Sequence, residues 1–129
     1  MPNITNLTVK KADGTTDVTY TALNPAGGDG IPAIFRSQGV GSAPAANPEF
    51  RVSSRANKAG RVLRITAHYP KVTTVGGAEQ VVSGAVFSVE MQVSSSQAAS
   101  DSAEAAAQFV NLCKTPLLQA CLNSGFPPV

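Results

Sequence analysis

The chain has 129 residues, 43% of them hydrophobic and only 14% charged, with a formal net charge of +2. That is enough apolar material for one domain (1–129) with a core and too little charge for a polycation, so any hold on nucleic acid must come from locally concentrated charge or from many copies acting together. No apolar run reaches the length of a membrane-spanning helix and the N-terminus lacks a secretory pattern, which predicts a soluble protein made in a cytoplasm, with no membrane partner.

In chain order, Ile4 to Lys10 and Asp17 to Leu23 alternate apolar and polar residues around Ala12-Asp13-Gly14, a strong turn signal, and predict an N-terminal hairpin over 1–24. Asn24 to Gly30 holds too much Gly and Pro for a regular element. Ile31 to Gln38 reads as a third strand with Pro32 near its start. Gly39 to Pro48 is a second connection, with room for a short strand around Val40.

From Arg51 to Lys71 the chain carries six of its ten cationic side chains, and between Phe50 and Ala78 it has no Asp or Glu. Phe50 to Arg55 and Leu63 to Tyr69 alternate with period two, which places Arg51, Ser53 and Arg55 on one strand face, as well as Arg64, Thr66 and His68. Phe50, Val52, Leu63, Ile65 and Tyr69 point the other way. Asn57-Lys58-Ala59-Gly60 predicts the turn that sets the two strands side by side, giving a cationic face with an apolar back. Taken from the residues alone, such a face is better explained by a solvated sheet surface than by RNA contact, and a lone exposed His68 needs no function. Lys10, Lys11, Arg36 and Lys114 read as ordinary surface charges lying elsewhere.

Val72 to Glu79 predicts a turn region, and Gln80 to Ser94 a long last strand. Its second half puts Phe87, Val89, Met91 and Val93 on one face and Ser88, Glu90, Gln92 and Ser94 on the other, the pattern of a sheet with one buried and one wet face. At Ser100 the composition changes. Asp101 with Glu104 suggests a capping box, Ala105 to Cys113 has helical spacing, Thr115-Pro116 restarts a short helix, and Gly125 ends it, which predicts a helical pair over 100–125. The fold class is therefore α+β: an N-terminal β-hairpin and an antiparallel sheet over 31–94, followed by two C-terminal helices that cover one sheet face. Those helices are small for strands so long, which favours a homodimer in which they pack on a partner's sheet or final strands pair edge to edge.

Cys113 and Cys121 read as small buried hydrophobes of the helical pair. A zinc site needs further ligands, and the sole histidine, His68, lies on a distant strand. No metal-ligand spacing, phosphate-binding glycine loop or nucleophile with a positioned base is present, so no enzyme activity, cofactor or metal is expected.

The order of elements, together with Gly14-Thr15-Thr16-Asp17-Val18-Thr19, Leu23-Asn24-Pro25, Pro70-Lys71-Val72 followed by Thr74-Val75-Gly76-Gly77, and Pro116-Leu117-Leu118, resembles the coat protein of single-stranded RNA bacteriophages, the levivirus group. Nearly the whole chain takes part in the likeness. It implies a five-stranded sheet that joins a partner's into a ten-stranded one, helices laid over the partner's sheet, and dimers assembled into a quasi-equivalent icosahedral (T=3) virion shell around genomic RNA in the bacterial cytoplasm, with a maturation protein as a further partner. The same resemblance assigns RNA contact to Arg51, Ser53 and Arg55, to Arg64 and Thr66, where a polar pair helps to form an adenine pocket, to Ile31 at its border, and to Ser88, Glu90 and Gln92. Arginines would neutralise phosphates, while hydroxyls and amides would bond base edges. An operator hairpin bound there would make the protein a translational repressor. This chain departs from the family pattern at Ser88, where studied members stack a tyrosine on an unpaired base, a contact worth roughly 1–3 kcal/mol; Tyr69 faces the apolar side and does not replace it.

Thr73, Thr74, Val75, Gly76, Gly77, Ala78 and Glu79 correspond to the family's loop that contacts neighbouring dimers and switches conformation, although an ordinary hairpin tip would read the same. Having no cysteine, this loop implies no disulfide network. The alternative to a coat protein is a small non-viral β-rich binding or adhesion domain.

Overall fold

A computed structural model describes residues 2–38 and 43–129, which places the expected short strand around Val40 outside the described residues. The chain divides into two units, residues 1–92 and 93–129.

The first unit is a sheet of six strands in chain order: β1 (Leu7–Lys10), β2 (Asp17–Asn24), β3 (Ala33–Ser37), β4 (Glu49–Asn57), β5 (Gly60–Val75) and β6 (Ala78–Ser94). The N-terminal hairpin is continuous with the rest, because β2 pairs with β3 from Tyr20↔Ser37 to Ala22↔Phe35 before a bulge between Ala22 and Asn24. Ile31 falls short of the third strand and makes only an isolated bridge to Gly28. Between β3 and β4 the described chain contains a single 3₁₀ turn, Pro44–Ala46.

At the first turn, both the Thr15 and Thr16 N–H groups donate to Asp13 Oδ1 at 2.9 Å, and the Thr16 hydroxyl donates to the other carboxylate oxygen. The Thr16 hydroxyl, then the two N–H groups, lower the Asp13 carboxyl from 3.8 to about 2. A carboxylate held low in the folded chain contributes stability above its unfolded value and loses it as the pH falls through the folded one. The Thr15 and Thr16 amide shifts should therefore titrate with a midpoint near 2 in the wild-type chain. A midpoint near the ordinary aspartate value, about 4, would show that the turn bonds are absent in solution.

The turn region expected over Val72 to Glu79 is corrected by the structure. Thr73, Thr74 and Val75 end β5, Ala78 and Glu79 begin β6, and only Gly76 and Gly77 turn the chain. Their φ angles of 59° and 81° are those of a two-residue hairpin turn, which L side chains rarely adopt and which matches the twist of the flanking strands. Further along, an added Cβ on Gly84 would lie 1.7 Å from the Tyr69 carbonyl oxygen, so β5 and β6 approach where only glycine fits.

Little of the first unit is shielded from water. Among the described residues the buried hydrophobics are Tyr20, Phe35 and Ala46, joined by Ser37. Phe35 packs on Phe50 with ring centroids 5.8 Å apart, and Tyr69 meets Phe87 edge to face at 5.7 Å. Burial and the Tyr69 hydroxyl push the Tyr20 phenol above its ordinary value.

The second unit holds α1 (Ala99–Cys113) and α2 (Pro116–Ser124). The expected capping box at Asp101 is not formed: the N-cap is Ala98, Asp101 lies inside the first turn with its N–H on the Ala98 carbonyl, and Glu104 accepts from Gln108. Helical geometry begins at Ala99, so Asp101 favours the helix through its charge near the N-terminus. Thr115 is the N-cap of α2 with Pro116 next, as the sequence predicts, but its hydroxyl donates backwards to the Leu112 carbonyl at 2.7 Å. Gly125, with φ of 77°, closes α2 by donating to the Cys121 carbonyl. Cys113 and Cys121 are half-buried free thiols, not buried ones. Neither helix contains a buried residue, and Phe109, Val110, Leu112, Leu117 and Leu122 are exposed. No helix among the described residues is long and apolar enough to cross a membrane.

Candidate nucleic-acid interface

The register of β4 and β5 assembles the polar face. Arg51 stands opposite Thr66, Ser53 opposite Arg64, and Glu49 opposite His68, so all six project from one side of the sheet. Arg55 joins them opposite Val62. Arg64 also reaches Glu90 on β6 at 3.9 Å, which brings Glu90 to this side and, by period two, Ser88 and Gln92 with it. Phe87 packs on Tyr69 at the back. The structure thus gathers Arg51, Ser53, Arg55, Arg64, Thr66, Ser88, Glu90 and Gln92 on one face. Ser53 and Thr66 are half-buried, the others exposed.

Ile31 sits apart from the strands. It is 54% exposed, its side chain lies over Gly27, and the Gly30 N–H beside it donates to the Ser54 carbonyl at 2.8 Å. The neighbouring Asp29 anchors this loop: the Ala56 N–H donates to its carboxylate, as does Arg61 at 3.0 Å. These donors, the Ala56 N–H foremost, hold the Asp29 carboxyl below the usual range.

Two sequence readings need correction. Arg36 does not lie elsewhere, because Arg36↔Glu49 in the β3–β4 pairing puts it on the same face. The chain of pairs Arg36↔Thr21 and Asp17↔Lys10 extends that face across β2 to β1, so Lys10 belongs to its far edge. Nor is the face an unopposed cationic one. Asp17, Glu49 and Glu90 all lie on it: Asp17 pairs with Lys10 at 2.6 Å, Glu49 with both Arg36 at 2.6 Å and Arg51 at 2.5 Å, and Glu90 loosely with Arg64. The stretch free of acids in sequence acquires its carboxylates from Glu49 at the start of β4 and from Glu90 on β6. Arg55 has no ion pair within 4 Å among the described residues, although its charge helps to hold the Asp29 carboxyl low.

Glu49 is the least accessible charge on this face, with 15% of its side-chain surface exposed. Burial would raise its carboxyl, but the hydrogen bonds from Arg36 and Arg51 outweigh it and hold the group below its ordinary value. Beside it lies an indentation of about 300 Å³ lined by Glu49, Arg51, Thr66, Ala67, His68 and Val86. The period-two run Glu49, Arg51, Ser53, Arg55 was there to be read in the sequence. The approach of Arg36 was not, since it depends on how β3 pairs.

No family model matches the chain, and no curated protein matches it. Solved structures do. The virus-like particle of Beihai levi-like virus 21 superposes with a TM-score of 0.86 at 19% identity, over 99% of both chains. That of bacteriophage NT-214 gives 0.86 at 15% identity, over 99% of this chain and 100% of the other. The capsid protein of bacteriophage GA gives 0.71 at 22% identity, over 92% of this chain and 93% of the other. The fold is that of the RNA-phage coat proteins.

Proposed function

We propose that the chain is the structural coat protein of a single-stranded RNA bacteriophage, whose dimers assemble into an icosahedral shell with the polar sheet face turned inward onto RNA. The observation that carries this reading is the missing core: a chain 43% hydrophobic buries only Tyr20, Phe35 and Ala46 among its described hydrophobic residues. So much exposed apolar surface calls for further copies of the chain to cover it. Two features say where. The five apolar side chains exposed on α1 and α2 suit burial against a second copy. β6 ends the sheet as an edge strand of 17 residues, long enough to pair with its twin and continue the sheet.

In this reading Arg55 and Arg64 meet phosphates, Arg51 lies on the same face with its Nε held by Glu49, and Ser53, Thr66, Ser88, Glu90 and Gln92 meet base edges, with Ile31 bordering the bases. The Gly76-Gly77 tip, with Thr73 to Glu79, contacts neighbouring dimers. A maturation protein completes the virion. With Ser88 in place of a stacking aromatic, any operator hairpin recognised differs from the familiar one.

The test is to express the chain alone in bacteria and size the product by chromatography with light scattering. A megadalton species is expected, with ultraviolet absorbance dominated by nucleic acid, since the chain has no Trp and only two Tyr. A nucleic-acid-free monomer would overturn the reading in favour of a small binding domain.

A further inference from the structure

We infer that Glu49 sets the RNA specificity of this face by holding Arg36 and Arg51 in an internal ion cluster and so withholding both guanidiniums from phosphates. The inference rests on the RNA reading above and adds to it a residue that opposes binding.

The geometry is specific. Arg36 Nη2 donates to Glu49 Oε2 at 2.6 Å, with its Nε at 3.3 Å from the same oxygen, while Arg51 Nε donates to Oε1 at 2.5 Å. The two guanidiniums therefore occupy different oxygens, Arg36 through both Nε and Nη2 at 30% exposure and Arg51 through Nε at 54% exposure. Arg36 arrives from β3 and Arg51 from two residues along β4, so the cluster is fixed by the strand pairing itself. A carboxylate only 15% exposed keeps such partners better than a solvated one, because its lost hydration has to be replaced by charge-assisted hydrogen bonds.

A phosphate that sought Arg51 would have to approach the Glu49 carboxylate. Non-specific RNA affinity grows with the number of phosphates neutralised, each adding about 0.7 to the dependence of log K on log salt for single strands. Tying up two guanidiniums lowers that number while Ser53, Thr66 and His68 stay available to base edges. Specificity rises because the sequence-independent contribution falls.

Full-length protein freed of RNA would be titrated with a single-stranded oligouridylate over a range of salt concentrations. Glu49→Gln keeps the shape of the side chain, removes its charge and releases both arginines. It should tighten binding about tenfold at low salt and steepen the salt dependence by about 0.7–1.4, the equivalent of one to two phosphates. An unchanged or shallower dependence would overturn the inference. Should Glu49→Gln fail to fold, Arg36→Gln and Arg55→Gln decide the matter. The tied Arg36 should cost nothing measurable in salt dependence, and Arg55, which has no ion pair within 4 Å among the described residues, should cost about 0.7; equal losses would overturn the inference. If wild-type protein binds no oligouridylate at the lowest salt, the RNA reading fails and this inference with it. If wild type binds and the variants behave alike, the inference alone fails.

Discussion

Chains carrying Phe109→Asp together with Leu117→Asp are expected to form no particles and to remain monomeric or aggregate. Phe109 lies on α1 and Leu117 on α2, 49% and 59% exposed in the single chain. Covering a side chain of this kind is worth about 1.5–3 kcal/mol. Replacing it by a carboxylate also imposes the penalty of burying an unpaired charge at any contact formed there. Two such losses in every copy compare with the whole stability of a domain, about 5–15 kcal/mol. Asn111→Asp adds the same charge on exposed α1 surface without removing an apolar group, and should still assemble. Chromatography with light scattering distinguishes the outcomes. Particles of normal size from the double variant would mean that the apolar helix faces are not what joins the copies.

The second large effect is expected at Phe35. With 7% of its surface exposed, it is one of the few buried side chains, and it contacts Phe50 from the neighbouring strand. Phe35→Ala should cost about 3–5 kcal/mol, as deleting a buried ring does when its surroundings cannot collapse into the space. In a chain of this size that corresponds to a fall in melting temperature of roughly 10–20 °C. Denaturant unfolding of disassembled protein would give the value directly. A loss below about 1 kcal/mol would be that of a surface position and would remove Phe35 from the core. No comparable loss is expected from the polar face, where hydroxyls and guanidiniums are already in contact with water.

Much of the sheet was legible because alternation is a local property. Phe50 to Arg55 and Leu63 to Tyr69 fix their own faces by period two, and the expected turn Asn57-Lys58-Ala59-Gly60 closes them into a hairpin, with Asn57 paired to Gly60. The helix restart at Thr115-Pro116 and the stop at Gly125 were equally local. The expected capping box failed for a related reason: Asp101 and Glu104 have the right spacing, but spacing alone does not say which residue leaves helical geometry first. The expected turn region over Val72 to Glu79 was too long because Thr and Val there suit either a loop or a strand, and cross-strand bonding settles the choice.

The sequence by itself determined the order of elements and the side of the sheet on which Arg51, Arg55 and Arg64 stand, because hydrophobic period requires no partner to be read. Only the tertiary structure decided the charge of the polar face. Glu49 and Arg51 are neighbours along β4, but Asp17 meets Lys10, Glu49 meets Arg36 and Glu90 meets Arg64 only once pairing brings their strands side by side. Electrostatic energy depends on distance in space, which neighbours in sequence do not specify.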